Sequence, residues 1–282
     1  MVKIAIVTDS TSDLPISVIE KNKIRMVPLK VNFQDQSYTE GLDITNKEFY
    51  EKLEASDALP TTSQPSPADF AAKYQELIDD GYDSIISVHI SDKLSGTRQS
   101  ALLAGDMVKD KLANFVAIDS KHVSASTGLI VQQAAEMVLS GLSFDEVVES
   151  INMTIDNTDL FVVVDTLKYL EKGGRIGKGK AMVGSLLNIK PVLTMNDGSI
   201  TDKDKARTRK KGMQMMLDFA KERQKNKPDI RIAICHSQVI DEAVKLESLV
   251  KEQLGVEPEY ISEVGSVVGT HIGPGALFLA YY

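Results

Sequence analysis

The segment Lys3-Ile4-Ala5-Ile6-Val7-Thr8-Asp9-Ser10-Thr11-Ser12 is the most informative about the fold, because an apolar run of strand length gives way there to hydroxyl and carboxylate side chains. The same order returns at residues 84–89, which lead into Ser91-Asp92-Lys93-Leu94-Ser95-Gly96-Thr97. Ligands of open α/β sheets bind beyond the carboxyl ends of the strands, where loops and helix N-termini offer free backbone groups. Both polar segments are therefore expected at a binding site.

Around this stretch, short apolar strands alternate with helical patterns through the first half of the chain, and that order predicts a parallel sheet. Ser66-Pro67 joins a capping hydroxyl to a proline suited to a first turn, which predicts a helix directly after residues 61–65. Further helices are predicted at residues 126–139 and 143–155. The candidate strands are residues 3–7, 25–31, 84–89 and 115–118.

The second half of the chain predicts a mixed sheet, because Asn196-Asp197-Gly198 is a strong hairpin turn. With 282 residues the chain is long for one compact core. We therefore predict two α/β domains, a three-layer α/β/α domain with a parallel sheet at 1–155 and a domain with a mixed sheet at 156–282. The elements predicted for the second domain are strands at 160–164, 191–195, 231–235 and 259–263 and helices at 206–225 and 240–254.

Composition excludes several classes of protein. No apolar run approaches the roughly 18 residues of a membrane span, and the N-terminus enters a strand directly, so we expect neither secretion nor an integral membrane segment but a cytoplasmic protein. The single cysteine, Cys235, has no partner for an internal disulfide. The four histidines lack the close spacing of the common zinc motifs, so we expect no structural metal.

Charge is distributed unevenly along the chain. Residues 168–211 contain twelve Lys or Arg against four Asp or Glu, a balance of +8, whereas the whole chain carries −8 and the remainder therefore −16. An acidic protein with one basic segment is poorly suited to coating nucleic acid but well suited to steering one anionic partner or phosphate group. A solvated helix face explains residues 203–211 equally well.

Motifs for several enzyme classes are missing from the sequence. The run Lys172-Gly173-Gly174-Arg175-Ile176-Gly177-Lys178-Gly179 lacks the first glycine and the final Ser or Thr of a nucleotide-binding P-loop. The chain contains neither the Gly-x-Ser-x-Gly elbow of α/β-hydrolases nor a dinucleotide fingerprint, and no general base stands beside a nucleophile. We assign no catalytic residue and no cofactor.

Several motifs follow one another along the chain. They are Thr8-Asp9-Ser10-Thr11-Ser12-Asp13-Leu14, Thr62-Ser63-Gln64-Pro65-Ser66, Leu94-Ser95-Gly96-Thr97, Leu167-Lys168-Tyr169-Leu170-Glu171-Lys172-Gly173-Gly174-Arg175-Ile176, Lys190-Pro191 and Gly269-Thr270-His271-Ile272-Gly273-Pro274-Gly275. In this order and approximate spacing they resemble the motifs of DegV proteins, which include the FakB fatty-acid-binding subunits of bacterial fatty acid kinase. The resemblance covers essentially the whole chain, and it departs from the expected pattern only slightly, at Asp165-Thr166, where Glu-Thr is expected.

The resemblance implies a carrier rather than a free-standing enzyme. A long-chain fatty acid would lie between the two domains, with its carboxylate held by Thr62, Ser95, Gly96 and His271. A FakA-type kinase with bound ATP would then convert the acid into an acyl phosphate. The basic residues that would face this partner or its phosphate are Arg175, Lys203, Arg207 and Arg209. Apolar candidates for the wall of the tunnel are Met182, Leu186, Leu187, Ile189 and Leu277, although ordinary core packing is the more common role of any one such residue.

Two other classes of function remain open from the sequence. A stand-alone acyl hydrolase would use Ser95 as its nucleophile, so purified protein would turn over an acyl ester and lose that activity in Ser95→Ala. A small-molecule sensor would prefer a nucleotide or a short organic acid and would be purified without lipid. Neither class has a motif in its favour.

Overall fold

The structure, a computed structural model, describes residues 3–34, 36–56, 58–177 and 189–282. The strands are β1 (Ile4–Asp9), β2 (Arg25–Val27), β3 (Lys30–Phe33), β4 (Gln36–Thr39), β5 (Thr61–Ser63), β6 (Ser84–His89), β7 (Asn114–Asp119), β8 (Asp159–Val163), β9 (Lys190–Asn196), β10 (Ser199–Ala206), β11 (Ile232–His236), β12 (Ile261–Glu263) and β13 (Leu277–Tyr281). The α-helices are α1 (Ile16–Lys21), α2 (Asn46–Ala55), α3 (Pro67–Asp79), α4 (Thr97–Val108), α5 (Ala125–Leu139), α6 (Phe144–Asn157), α7 (Lys168–Lys172), α8 (Arg209–Asn226), α9 (Ile240–Leu254) and α10 (Ser266–Ile272).

The first half of the chain builds a parallel sheet in the order β2-β1-β6-β7. One face of β1 packs through Ala5 and Val7 against residues of α3 and α4. Its other face packs through Ile4 and Ile6 against α5. Helices therefore cover both faces of the sheet, and the predicted three-layer arrangement is confirmed.

The second half builds a mixed sheet in the order β10-β9-β8-β13-β11-β12. Strands β11 and β12 run parallel, and the other neighbouring pairs run antiparallel. The hairpin between β9 and β10 turns at Asp197 and Gly198, whose φ angles of 46° and 75° are those of a primed two-residue turn. The predicted hairpin and the predicted mixed sheet are both confirmed.

Helix α5 lies between the two sheets. Its residues from Ala125 to Gln132 are all buried, as expected for a helix that is covered on every side. The apolar cluster around α5 contains β1 and β6 on one side and Phe278 and Ala280 of β13 on the other. Because one core joins both halves, the division into two domains after residue 155 stays a prediction.

Two predicted elements are placed differently by the structure. The single strand expected at 25–31 is two strands in different sheets, since Pro28 has no N–H to continue a ladder and the chain turns there from β2 into β3. The helix expected from Ala206 begins at Arg209 instead. Ala206 is the last residue of β10, and the Thr208 side chain caps the helix by accepting from the Lys211 N–H.

The helix start predicted at Ser66-Pro67 is confirmed. Ser66 caps α3 and forms a capping box with Asp69, which fixes the angle at which the preceding loop enters the helix. That loop contains β5, which pairs with β3 in a small antiparallel sheet of order β4-β3-β5 that was not predicted. Within the described ranges, no helix combines the length and the apolar character needed to cross a membrane.

Candidate ligand cavity

A cavity of about 380 Å³ lies between the two sheets. Its volume is within the usual range of small-molecule sites, and most of its wall is apolar. The apolar wall comes from both halves of the chain and consists of Leu29, Ile90, Leu94, Val123, Leu160, Val162, Leu170, Leu193, Met195, Ile200, Val267, Val268, Ile272 and Phe278. Such a wall suits a long apolar ligand.

Strand alternation selects which residues form this wall. Leu160 and Val162 of β8 face the cavity, whereas Phe161 lies on the other face of the sheet with α8. On β13, Phe278 lines the cavity and Leu277 is buried in the cluster that packs on α8 and α9. Leu277 therefore does not line the tunnel as predicted, because a shift of one residue moves a side chain to the opposite face.

The other predicted wall residues have different outcomes. Ile189 is partly buried and does not belong to the described wall of the cavity. Met182, Leu186 and Leu187 lie outside the described residues.

Thr62 reaches the cavity through the small sheet. It lies on β5, where it pairs with Val31 of β3. Its hydroxyl Oγ1 is 2.9 Å from Nε2 of His271, which lies in the last turn of α10. Two of the predicted carboxylate ligands, separated by 209 positions in the chain, are thus hydrogen-bonded to each other at the cavity wall.

His271 is held as a neutral imidazole. Burial, and to a smaller extent the positive charge of Arg175, lower the pKa of His271 from 6.5 to about 4. Its Nδ1 is buried and has no hydrogen-bond partner among the described residues. A Cβ added to Gly173 would lie 2.3 Å from that atom, so only glycine leaves room for the ring there. The imidazole can therefore donate or accept one hydrogen bond without placing a charge beside a ligand.

Ser95 and Gly96 lie where the chain passes from β6 into α4. Gly96 is the N-cap residue of α4, which begins at Thr97. The hydroxyl of Ser95, a cavity residue, is 2.8 Å from that of Thr97. Because Ser95 bonds to Thr97 while His271 bonds to Thr62, Ser95 is not paired with His271 as a nucleophile with its base.

Gln64 is a cavity residue that the sequence analysis did not single out. Its side-chain nitrogen donates to the Ser100 hydroxyl over 3.1 Å, and its amide lies against Gly96, where an added Cβ would approach its oxygen to 2.5 Å. Gln64 thus ties the loop that carries Thr62 to the start of α4. Its place two positions after Thr62, in the same motif, was the available indication.

Arg175 also lines the cavity. Its Nε donates to the Leu94 carbonyl over 3.2 Å and its Nη1 to the Gly173 carbonyl over 2.8 Å, which fixes the position of the guanidinium at the wall. The preceding turn ends α7, with Gly174 at φ 71° and the Arg175 N–H bonded to the Leu170 carbonyl. The Gly173-Gly174 pair therefore caps the C-terminus of α7.

The other three predicted basic residues lie away from the described cavity wall. Lys203 is exposed, and its ammonium lies 5.2 Å from the ring centre of Phe219. Arg209 forms ion pairs of 2.7 Å with Asp165 and 2.9 Å with Glu242. Arg207 is exposed to solvent. The structure thus brings only Arg175 of this group to the described wall, and the roles proposed for the others stay predictions.

Comparison with known proteins places the chain among relatives of the same length. Residues 3–282 match the family model described as "Uncharacterised protein, DegV family". A DegV domain-containing protein of Listeria monocytogenes is 36% identical over 282 residues, which cover 99% of this chain and 98% of the relative.

Solved structures agree with this comparison. A fatty-acid-binding DegV family protein from Thermus thermophilus is 35% identical with a TM-score of 0.93, and the match covers 99% of each chain. A stearic-acid-binding protein from Eubacterium ventriosum is 30% identical with a TM-score of 0.91, covering 99% of this chain and 97% of that one. The fold and its two sheets are therefore shared along the full length.

Proposed function

This chain belongs to the DegV family, and we propose that it binds one long-chain fatty acid in the cavity between its sheets and presents the carboxylate to a separate kinase. The observation that carries the proposal is the cavity itself. A largely apolar wall is joined by a cluster of polar side chains that converge near Thr62 and His271. The tail would lie along the apolar wall and the carboxylate at the polar cluster.

The apolar wall would supply most of the affinity. Each methylene that leaves water contributes about 0.8 kcal/mol, so roughly fifteen of them offer on the order of 12 kcal/mol before the ordering costs are subtracted. Fatty-acid binding by the Thermus thermophilus and Eubacterium ventriosum relatives supports the same ligand class for this chain. No cofactor is needed for this role.

The polar cluster would orient the head group. The hydroxyls of Thr62 and Ser95 and the neutral ring of His271 offer hydrogen bonds without a full countercharge, while Arg175 is engaged with two backbone carbonyls. A carboxylate held in this way keeps negative charge on its oxygens. That charge is what an acid needs to attack the terminal phosphorus of ATP on a partner kinase, and a carrier serving such a kinase would act in the cytoplasm.

Mass spectrometry of organic extracts from freshly purified protein tests the ligand. We expect a stoichiometric C14 to C18 fatty acid in the wild type and depletion in a Thr62→Val/Ser95→Ala double variant. The matched control is Thr154→Val/Ser248→Ala, which removes one hydroxyl of each kind from α6 and α9, outside the cavity wall. A wild type that carries no lipid and takes up no added fatty acid would refute the proposal and favour a sensor.

A kinase-coupled assay tests the partner. Exposed Arg207 lies in the basic segment, so Arg207→Glu should weaken docking onto an acidic kinase surface and lower fatty-acid-dependent ATP turnover at limiting carrier. Lys245→Glu, an equally exposed charge reversal on α9, is the control. Equal turnover by both variants at physiological salt would exclude docking through Arg207. Arg209 is unsuitable for this test, because its reversal would also break its two ion pairs.

A further inference from the structure

Two buried carboxyl groups hold the N-terminal end of the helix that carries His271. The Gly265 N–H donates to Oδ1 of Asp13 over 2.9 Å. Oε1 of Glu40 accepts from the Val267 N–H over 2.7 Å and from the Ser266 hydroxyl over 3.0 Å. These three donors are the N-cap and first turn of α10, and His271 lies in its last turn.

Helix α10 is closely packed along its sides. A Cβ on Gly269 would lie 2.8 Å from the Phe49 ring and the Tyr50 hydroxyl, so bare backbone faces α2 there. Val268 and Ile272 are buried in the apolar cluster around α5. Directly after the helix, the Gly273 carbonyl accepts from the Ser237 hydroxyl over 2.7 Å. Hydrogen bonds therefore hold α10 at both ends, and those to the two carboxyl groups hold its first turn.

The two carboxyl groups are buried without a countercharge among the described residues. Asp13 and Glu40 form no ion pair in the part of the chain that the structure describes, and Oδ2 of Asp13 and Oε2 of Glu40 lack hydrogen-bond partners there. Burial, and then their mutual repulsion in the case of Asp13, raises the pKa of both groups. The other titratable groups that face the pair are Asp9, Tyr50, Cys235, Tyr260 and, through Tyr50, Glu263.

We propose that Asp13 and Glu40 are positioning residues of the head-group site. By holding the first turn of α10 they set the place of His271 opposite Thr62, and with it the affinity for a carboxylate. Neither residue lies in the described cavity wall, so their effect would pass through α10. The inference rests on the proposed function, since it concerns the same ligand.

Comparing hexadecanoic acid with 1-hexadecanol tests this effect, because the two share a tail and differ in the head group. Affinities are measured by displacement of a fluorescent fatty acid. Glu40→Ala should weaken binding of the acid about tenfold, the loss expected for one misplaced hydrogen bond to a charged group, and leave the alcohol nearly unchanged. Glu40→Gln should restore the affinity for hexadecanoic acid, since its amide oxygen can replace Oε1 as the acceptor.

Three controls separate positioning from general damage. Glu136→Ala removes a carboxylate of α5 that pairs with Arg231, so it should lower stability without changing the ratio of acid to alcohol affinity. In a His271→Gln background, Glu40→Ala should have no further effect on that ratio. If Glu40→Ala fails to fold, Ser266→Ala removes one of the same hydrogen bonds and should weaken acid binding about threefold.

The outcomes are distinct. Equal weakening of acid and alcohol by Glu40→Ala, or by Ser266→Ala where the first variant does not fold, would overturn the inference. A change of the ratio in Glu136→Ala as large as that in Glu40→Ala would overturn it as well. If the wild type binds neither ligand, the proposed function fails instead.

Discussion

Mild acid should destabilise the protein through His271. Burial, and then Arg175, hold the pKa of this residue near 4 in the folded state, against 6.5 for an ordinary histidine. At a pH between these two pKa values, His271 is protonated in the unfolded chain but neutral in the folded protein. The contribution of the neutral His271 to stability is therefore fully present above the pKa of the unfolded state and is lost as the pH falls towards about 4.

The magnitude follows from the separation of the two pKa values. At about 1.4 kcal/mol for each pH unit, the full loss is about 3 kcal/mol, of which about 2 kcal/mol falls between about pH 7 and about pH 5. His122 should add a similar loss, because burial lowers its pKa to about 4 as well. Asp13 and Glu40 act in the opposite direction, since their pKa values are raised. Only a difference between variants isolates His271.

The assay is urea unfolding followed by circular dichroism at several pH values, for the wild type, His271→Gln and His122→Gln. The chain contains no tryptophan, so circular dichroism is the more direct probe. The advantage of the wild type over His271→Gln should shrink by about 2 kcal/mol from about pH 7 to about pH 5. His122→Gln should show the same shrinkage independently. A difference between wild type and His271→Gln that stays constant with pH would refute the reasoning.

Three further predictions concern packing and charge. Gly273→Ala should cost about 3 kcal/mol in urea unfolding, because it adds a Cβ at φ 74° and 2.2 Å from the Tyr169 ring. Gly173→Ala should abolish fatty-acid uptake in the extraction assay, since its Cβ would displace His271 from a distance of 2.3 Å. Arg231→Met should lower the free energy of unfolding by about 2 kcal/mol, because two partly buried carboxylates lose their ion pairs.

Each of these has a matched control. Gly255→Ala has a similar φ of 67° with no neighbour within 4 Å, so it should cost only about 1 kcal/mol. Gly174→Ala, at φ 71° and also free of close neighbours, should leave uptake largely intact. Lys251→Met breaks the two ion pairs of a more exposed cation, with Glu247 and Glu257, and should change stability by less than about 1 kcal/mol. A variant whose change in stability or in fatty-acid uptake equals that of its control would contradict the contact proposed for it.

Local rules predicted much of the fold. The capping box at Ser66, the hairpin at Asp197-Gly198 and the buried strand at Ser84–His89 depend on residues within a few positions of one another. Strand β5 escaped prediction because its three residues, Thr61–Ser63, carry no periodic pattern. It becomes a strand only because β3, about thirty positions earlier, offers an edge for pairing.

Residue order alone predicts the alternation of strands and helices, the hairpin, the parallel and mixed sheets and, through serial motifs, the family. The contacts at the site come from folding: Thr62 and His271 meet at 2.9 Å, Gln64 joins them at the cavity, and Arg209 pairs with Asp165 and Glu242. Hydropathy and caps are set by neighbours along the chain. Whether a polar side chain lies free, paired or facing a cavity depends on residues that only folding brings together.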